Sequence, residues 1–261
     1  PAYDGIRVRK ALAHAEVETL GAEARRQALA RQALAERAAE WIGRFVSRPA
    51  PGLLRLNPAF ADGGDDAREA AVLALRALLA TAGGTPRLPD RARVEALLRQ
   101  LAGGAPMRAT LSRTAVDARR AGVFLHREAR NLPFVPLGAK PVLWDGRLRA
   151  AAAPGARDLH IGPLGHAGAA GLPAGTQTGI PPEVPPALVR AAWAAEPALF
   201  SGRTLIGPAL VPSAAGDSVS AAPTVAPFAR FLPGFDRPLA AALHRLAGAP
   251  ALPSPPWPEH I

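Results

Sequence analysis

The sequence contains no cysteine, which excludes a disulfide framework, a thiolate zinc site and a cysteine nucleophile. Lysine is nearly missing as well, at Lys10 and Lys140 only. Aromatic residues make up 5%, so bulky packing groups are scarce and much of the 49% apolar content is alanine. No uncharged apolar run reaches the ~18–20 residues of a bilayer span; the Ala70–Ala82 stretch is broken by Arg76. No secretory signal opens the chain, but Pro1 rather than Met stands first, as expected of a fragment, so that lack carries little weight. Cysteine-free usage fits a reducing compartment, and the expected location is the cytoplasm.

What the chain has is arginine. Its 261 residues carry a net charge of +10, and 29 of the 31 basic residues are arginines. The excess sits in the first half: residues 1–130 hold 22 basic and 14 acidic groups, residues 131–261 hold 9 and 7. A polyanionic partner, most economically nucleic acid or phosphate, is the expectation. A GC-rich coding bias produces a similar Ala/Arg/Gly/Pro-heavy composition, and any single arginine is by default a solvated surface group.

The spacing of Val17, Leu20, Ala24, Leu34, Ala38, Trp41 and Phe45 predicts helix from about Ala11 to Val46, weakened or split at Gly21. Trp41 is expected to be buried against partner helices. Ser47–Gly52 stops this element. Leu53–Leu56 reads as a strand, and Asp65 or Asp66 caps a helix to about Thr81 that Gly83-Gly84 ends. Asp90 caps another, to about Leu101, ended by Gly103-Gly104. Ala109–Val116 and Val123–Arg127 read as a hairpin turning at Ala118–Gly122. Beyond it, Pro141–Trp144 and Leu148–Ala150 flank the turn pair Asp145-Gly146. Strands are expected at Leu159–Ile161 and Thr204–Ile206, and helices at Pro185–Ala195 and Pro238–Leu246. The reading is α+β, in three parts. A helical connector (1–50) leads to a small α+β RNA-binding domain (51–138) and then to a strand- and loop-rich C-terminal domain (139–261).

No self-contained catalytic constellation is visible. The paired glycines lack the Gly-Lys-Ser/Thr that grips phosphate and sit where helices end. Of the six histidines only His160 and His166 are close, without the further ligands a metal needs. His126 alternates with Phe124 and reads as structural. Ser218 beside Asp217 lacks the Gly-x-Ser-x-Gly elbow. The arginines remain: Arg7, Arg9 and Lys10 ahead of the first helix, Arg25, Arg26 and Arg31 along it, and Arg119, Arg120, Arg127 and Arg130 about the hairpin. Guanidinium forks suit bidentate phosphate contact and base stacking, and folded RNA is read largely by shape and phosphate.

A family resemblance joins these pieces. Arg7-Val8-Arg9-Lys10-Ala11-Leu12 is similar to the junction that follows the catalytic domain of tRNA(Ile)-lysidine synthases of the alphaproteobacterial type. In order come Leu54-Arg55-Leu56-Asn57-Pro58, Ala74-Leu75-Arg76-Ala77-Leu78 and Gly83-Gly84. Phe124-Leu125-His126-Arg127-Glu128-Ala129-Arg130-Asn131-Leu132-Pro133 and Val142-Leu143-Trp144-Asp145-Gly146-Arg147 follow. The tail Pro227–Asp236 with Pro255-Pro256-Trp257 resembles the family too. Where the family junction reads Arg-Asn-x-x-Arg, Arg9 matches the last arginine and Arg7 an intervening one, while Gly5 and Ile6 depart.

The resemblance implies a ligase that uses ATP, with magnesium, to adenylate the C2 oxygen of a wobble cytidine. A lysine amine then displaces AMP and leaves lysidine. The family's Ser-Gly-Gly-x-Asp-Ser pyrophosphatase loop does not occur in this sequence. The chain is therefore expected to be the tRNA-binding C-terminal portion, inactive alone. ATP, magnesium and lysine would be handled by the missing N-terminal domain, and the fragment itself would bind no cofactor. Its expected partner is tRNA(Ile), with no membrane and with homodimerisation open. Two alternatives stand: a free-standing basic RNA-binding or assembly protein without catalysis, and an unrelated small-molecule enzyme with an apolar pocket in its second half.

Overall fold

The N-terminal helical periodicity becomes one helix, α1 (His14–Phe45), in the computed structural model, which describes residues 14–211 and 218–254. Gly21 does not split it. A glycine in an exposed helix interior costs only about 1 kcal/mol relative to alanine, and α1 runs on for 32 residues, about 48 Å. Its C-terminal half packs inward through Ala35, Ala38 and Ile42, each at most 2% exposed. Its N-terminal half stands in solvent: of residues 19–30 only Glu23 and Ala28 are even partly covered. Trp41, expected to be buried against partner helices, packs at the edge of the core and is only partly covered. It is half-buried against the turn Pro58–Phe60, where its Nε1 donates to the Phe60 carbonyl at 3.2 Å and its ring meets Phe60 edge-on.

The proline-rich stretch after α1 stops the helix and then forms an edge strand, β1 (Val46–Ala50), paired antiparallel with β2 (Leu53–Leu56). Pro49 is tolerated there because an edge strand needs no further donor on its open side. Helix α2 (Asp65–Gly83) starts where expected, but its N-cap is Gly64, with no side-chain bond. Helix α3 (Arg91–Ala102) is capped as predicted, with the Asp90 carboxylate accepting from the Arg93 amide at 3.0 Å.

The expected hairpin is a three-stranded meander: β3 (Met107–Leu111), β4 (Thr114–Arg119) and β5 (Gly122–Arg127). A tight turn at Ser112 and Arg113, φ 51° and 64°, cuts the predicted Ala109–Val116 strand in two. The first sheet runs β1-β2-β5-β4-β3, antiparallel throughout. Leu54, Leu56, Val116, Val123 and Leu125 share one core with α1 and α2.

In the second half, β6 (Val135–Pro136), β9 (Leu159–Pro163), β10 (Pro197–Ser201) and β11 (Thr204–Pro208) form a sheet ordered β11-β10-β9-β6. A smaller sheet is built from β7 (Val142–Trp144), β8 (Leu148–Ala152) and β12 (Val219–Pro223). The Asp145-Gly146 turn forms as expected, with both residues at positive φ. Strand β10 and a short helix α4 (Gly165–Ala170) add to the elements the sequence predicts. Helix α5 (Pro186–Ala194) covers Leu53 and Phe124. Helix α6 (Arg237–Ala247) folds back onto α1 and adds Leu239 and Leu243 to the first core.

Candidate nucleic-acid interface

Arg7, Arg9 and Lys10 lie outside the described residues. Arg25 and Arg26 are exposed on α1, with Arg26 paired to Glu23 one turn back. Arg31 is a partial correction, because its Nε donates to the Asp236 carboxylate at 2.9 Å and pins α1 to the segment before α6. Burial pushes the Asp236 carboxyl above the usual carboxylate range, and Arg31 opposes that shift. Arg130 is exposed beside Glu128, 2.8 Å away. Arg127 is a full correction. Its side chain is 2% exposed and bonds Asp145 through Nε at 3.0 Å and Nη2 at 3.1 Å, so no face is left for a ligand.

Arg119 and Arg120 are exposed at the β4–β5 turn, and the structure adds Arg108 and Arg55 to them. Strand register does this. Arg55 lies opposite Phe124, Phe124 opposite Asp117, and Asp117 opposite Arg108, one row across β2, β5, β4 and β3. Side chains alternate along a strand, so Arg119 shares the face of Asp117. At strand spacings of about 4.8 Å the row spans about 14 Å. Asp117, 3% exposed, accepts from Arg119 Nε at 2.5 Å and lies 3.1 Å from Arg108 Nε. The carboxylate raises the Arg119 pKa, mainly by its hydrogen bond. Arg55 is held by the Ala121 carbonyl and by Glu183 at 2.8 Å. One buried carboxylate thus orients two guanidiniums, 78% and 41% exposed, whose remaining N–H groups are available to phosphate oxygens.

His126 occupies the same face one pair along, buried, with Nδ1 3.1 Å from the Arg127 carbonyl and Nε2 without a partner. Burial lowers its pKa, outweighing that carbonyl and Asp117. As pH falls through about 6.5 the unfolded chain therefore takes up a proton more readily than the folded chain, and stability declines with acid in that window. The urea midpoint of the wild type is expected to drop between pH 7 and 5.5 by up to about 1 kcal/mol in stability. His126→Gln, neutral at both pH values, should lose most of that difference; an equal drop in the variant would assign it to other groups.

A second cluster gathers on Asp145. Its fully buried carboxylate accepts from Arg113, from Arg127, and from Arg147 Nε at 2.9 Å; Arg147 also bonds Glu196 Oε1 at 2.7 Å. Arg147 and Glu196 line a cleft of about 80 Å³ with Arg48, Leu54 and Pro197. That is well below the ~300–1,000 Å³ of a pocket that encloses a small molecule, and its two innermost charges are spent on each other.

The glycine pair that ends α2 offers no phosphate cradle. At Gly83 the place of a side chain is filled by the Ser112 carbonyl, and at Gly84 by that of Asp145, so neither opens onto a phosphate. The buried carboxylates Asp117 and Asp145 are occupied by arginines.

With this geometry in view, the comparisons bear out the family resemblance. The chain is 44% identical over 99% of its length to a tRNA(Ile)-lysidine synthase of Mesorhizobium japonicum, of which it spans 56%. A tRNA(Ile)-lysidine synthase of Rhizobium meliloti is 43% identical over 76 residues, 28% of this chain and 17% of that protein. No family model and no solved structure matches the chain. Among the described residues no helix is long and apolar enough to cross a membrane.

Proposed function

We propose that this chain is the tRNA-holding portion of a lysidine-forming ligase. On this reading it presents tRNA(Ile) in the cytoplasm to an ATP- and lysine-binding part of the protein that is not among these residues. What carries the reading is the likeness to a lysidine synthase along nearly the whole chain. The oriented arginines Arg108 and Arg119, with Arg120 and Arg55 beside them, supply an instrument for it. Arg25, Arg26 and Arg130, exposed elsewhere on the chain, and Arg7, Arg9 and Lys10 are taken as further contacts; Arg31 and Arg127 serve the fold.

Phosphate neutralisation releases counterions, so affinity must fall steeply with salt. A tRNA(Ile) transcript is expected to bind at least a hundredfold more weakly at about 200 mM than at about 50 mM salt. The triple variant Arg108→Ala, Arg119→Ala, Arg120→Ala should bind more weakly and with a shallower salt slope. Absence of tRNA binding at the lower salt, by gel shift of the folded chain, ends this reading.

A further inference from the structure

One exposed end of the second sheet carries an aromatic cluster that the arginine surface does not use. Phe200 on β10 lies opposite His160 on β9, and His160 opposite Pro136 on β6, so Phe134, two residues before Pro136, joins the same face. Phe134 stacks on the His160 ring at 5.2 Å between centroids and 18° between planes, and meets Phe200 edge-on at 5.0 Å. It can lie so low because β9 has Gly162 beneath it, where a Cβ would come within 2.4 Å of the ring. Two rings and a glycine fix its orientation, yet 36% of it remains in solvent.

The chemistry around this ring is that of a planar, polar, anionic ligand. The guanidinium of Arg203, on the exposed β10–β11 turn, lies 5.0 Å from the Phe134 centroid. It is itself stackable, and its N–H groups suit a phosphate. Asp158, 67% exposed on the same side, places an acceptor near His160, suited to the amino group of a base. A purely apolar partner would leave both charges unmatched, whereas a nucleotide matches the ring, the cation and the acceptor together.

We infer that Phe134, with His160 and Arg203, is a stacking site for an unpaired nucleobase of RNA. A base must be out of its helix to offer its face to a ring, so the site selects single-stranded segments. The arginine row of the first sheet is indifferent to that distinction. The inference rests on the RNA-binding reading above and adds a second, differently selective contact to it.

The test measures binding of the whole chain to a short single-stranded RNA carrying one 2-aminopurine, and to a duplex of equal length, at one salt concentration. Phe134→Leu keeps an apolar group over Gly162 but removes the π-face, and is expected to weaken single-strand binding about tenfold. It should also abolish quenching of the 2-aminopurine, leave duplex affinity unchanged, and be reversed in both respects by Phe134→Trp. A folded Phe134→Leu chain with wild-type single-strand affinity and quenching overturns this site while leaving the arginine surface standing. An equal loss toward duplex overturns it too, since the ring would then be supporting the general surface. If the wild type binds neither RNA, the functional reading itself has failed.

Discussion

Asp145→Asn is expected to cost about 3–5 kcal/mol, the range for removing one partner of a buried charge cluster. Against a total stability of roughly 5–15 kcal/mol for a domain this is the difference between a folded and a marginal protein. The Asp145 carboxylate is completely buried and takes hydrogen bonds from Arg113, Arg127 and Arg147. Of the three, Arg127 has the least recourse: at 2% exposed it cannot turn to water, and its Nη1 is already on the Glu128 carbonyl. Asparagine would offer one acceptor and aim N–H groups at guanidiniums. The cluster also ties together the β3–β4 turn, the end of β5 and the β7–β8 turn, and through Arg147 it reaches Glu196 beyond α5. Urea denaturation should therefore show a lower midpoint and a broadened or split transition. Asp145→Asn combined with Arg127→Met should recover part of the loss, because asparagine still accepts the positive φ of that turn and the arginine with no route to water is gone. A double variant no more stable than Asp145→Asn would place the cost in packing instead.

The sequence reveals structure where the cause is local. A caps-and-breakers reading finds Asp90 and Gly83-Gly84, because a helix end is satisfied by its own few residues, and finds Asp145-Gly146, because only a short polar residue and glycine accept that turn cheaply. Ser112-Arg113 makes an equally tight turn from residues that carry no such signature. That omission hid the interface as well. Without the turn, Arg108 and Asp117 flank opposite ends of the predicted Ala109–Val116 strand and cannot face each other; with it they are register partners. Arg127 is the converse case. Charge in a sequence does not tell a solvated arginine from one consumed by a carboxylate 18 positions away, so it groups Arg127 with the surface arginines, although its neighbour His126 reads as structural and is buried. Phe134 carries no signal in the sequence for the same reason: its partners His160, Phe200 and Arg203 come together only when β6, β9 and β10 pair.

The glycine pair that ends α2 yields the second large effect, and it separates two explanations of the same residues. If Gly83 served only to stop a helix, alanine there would be neutral or better, since alanine is favoured over glycine at a helical position by about 1 kcal/mol. The structure sets a larger cost against that gain. A Cβ on Gly83 would lie 1.8 Å from the Ser112 carbonyl oxygen and 2.9 Å from Thr114 Oγ1, a buried hydroxyl that donates to the Leu79 carbonyl. On Gly84, at φ +65°, it would lie 1.9 Å from the Asp145 carbonyl oxygen. The helix end is thus wedged between the two turns that carry the Asp145 cluster, and backbone must move to admit a methyl group. Gly83→Ala and Gly84→Ala are each expected to destabilise by about 3 kcal/mol, the upper part of the overpacking range. Gly104, also at positive φ but facing open space, provides the control: Gly104→Ala pays backbone strain alone, about 1–2 kcal/mol. Thermal melts of the three variants should rank Gly104→Ala well above the other two. A Gly83→Ala chain that melts with the wild type would mean that α2 does not end against the Ser112 turn.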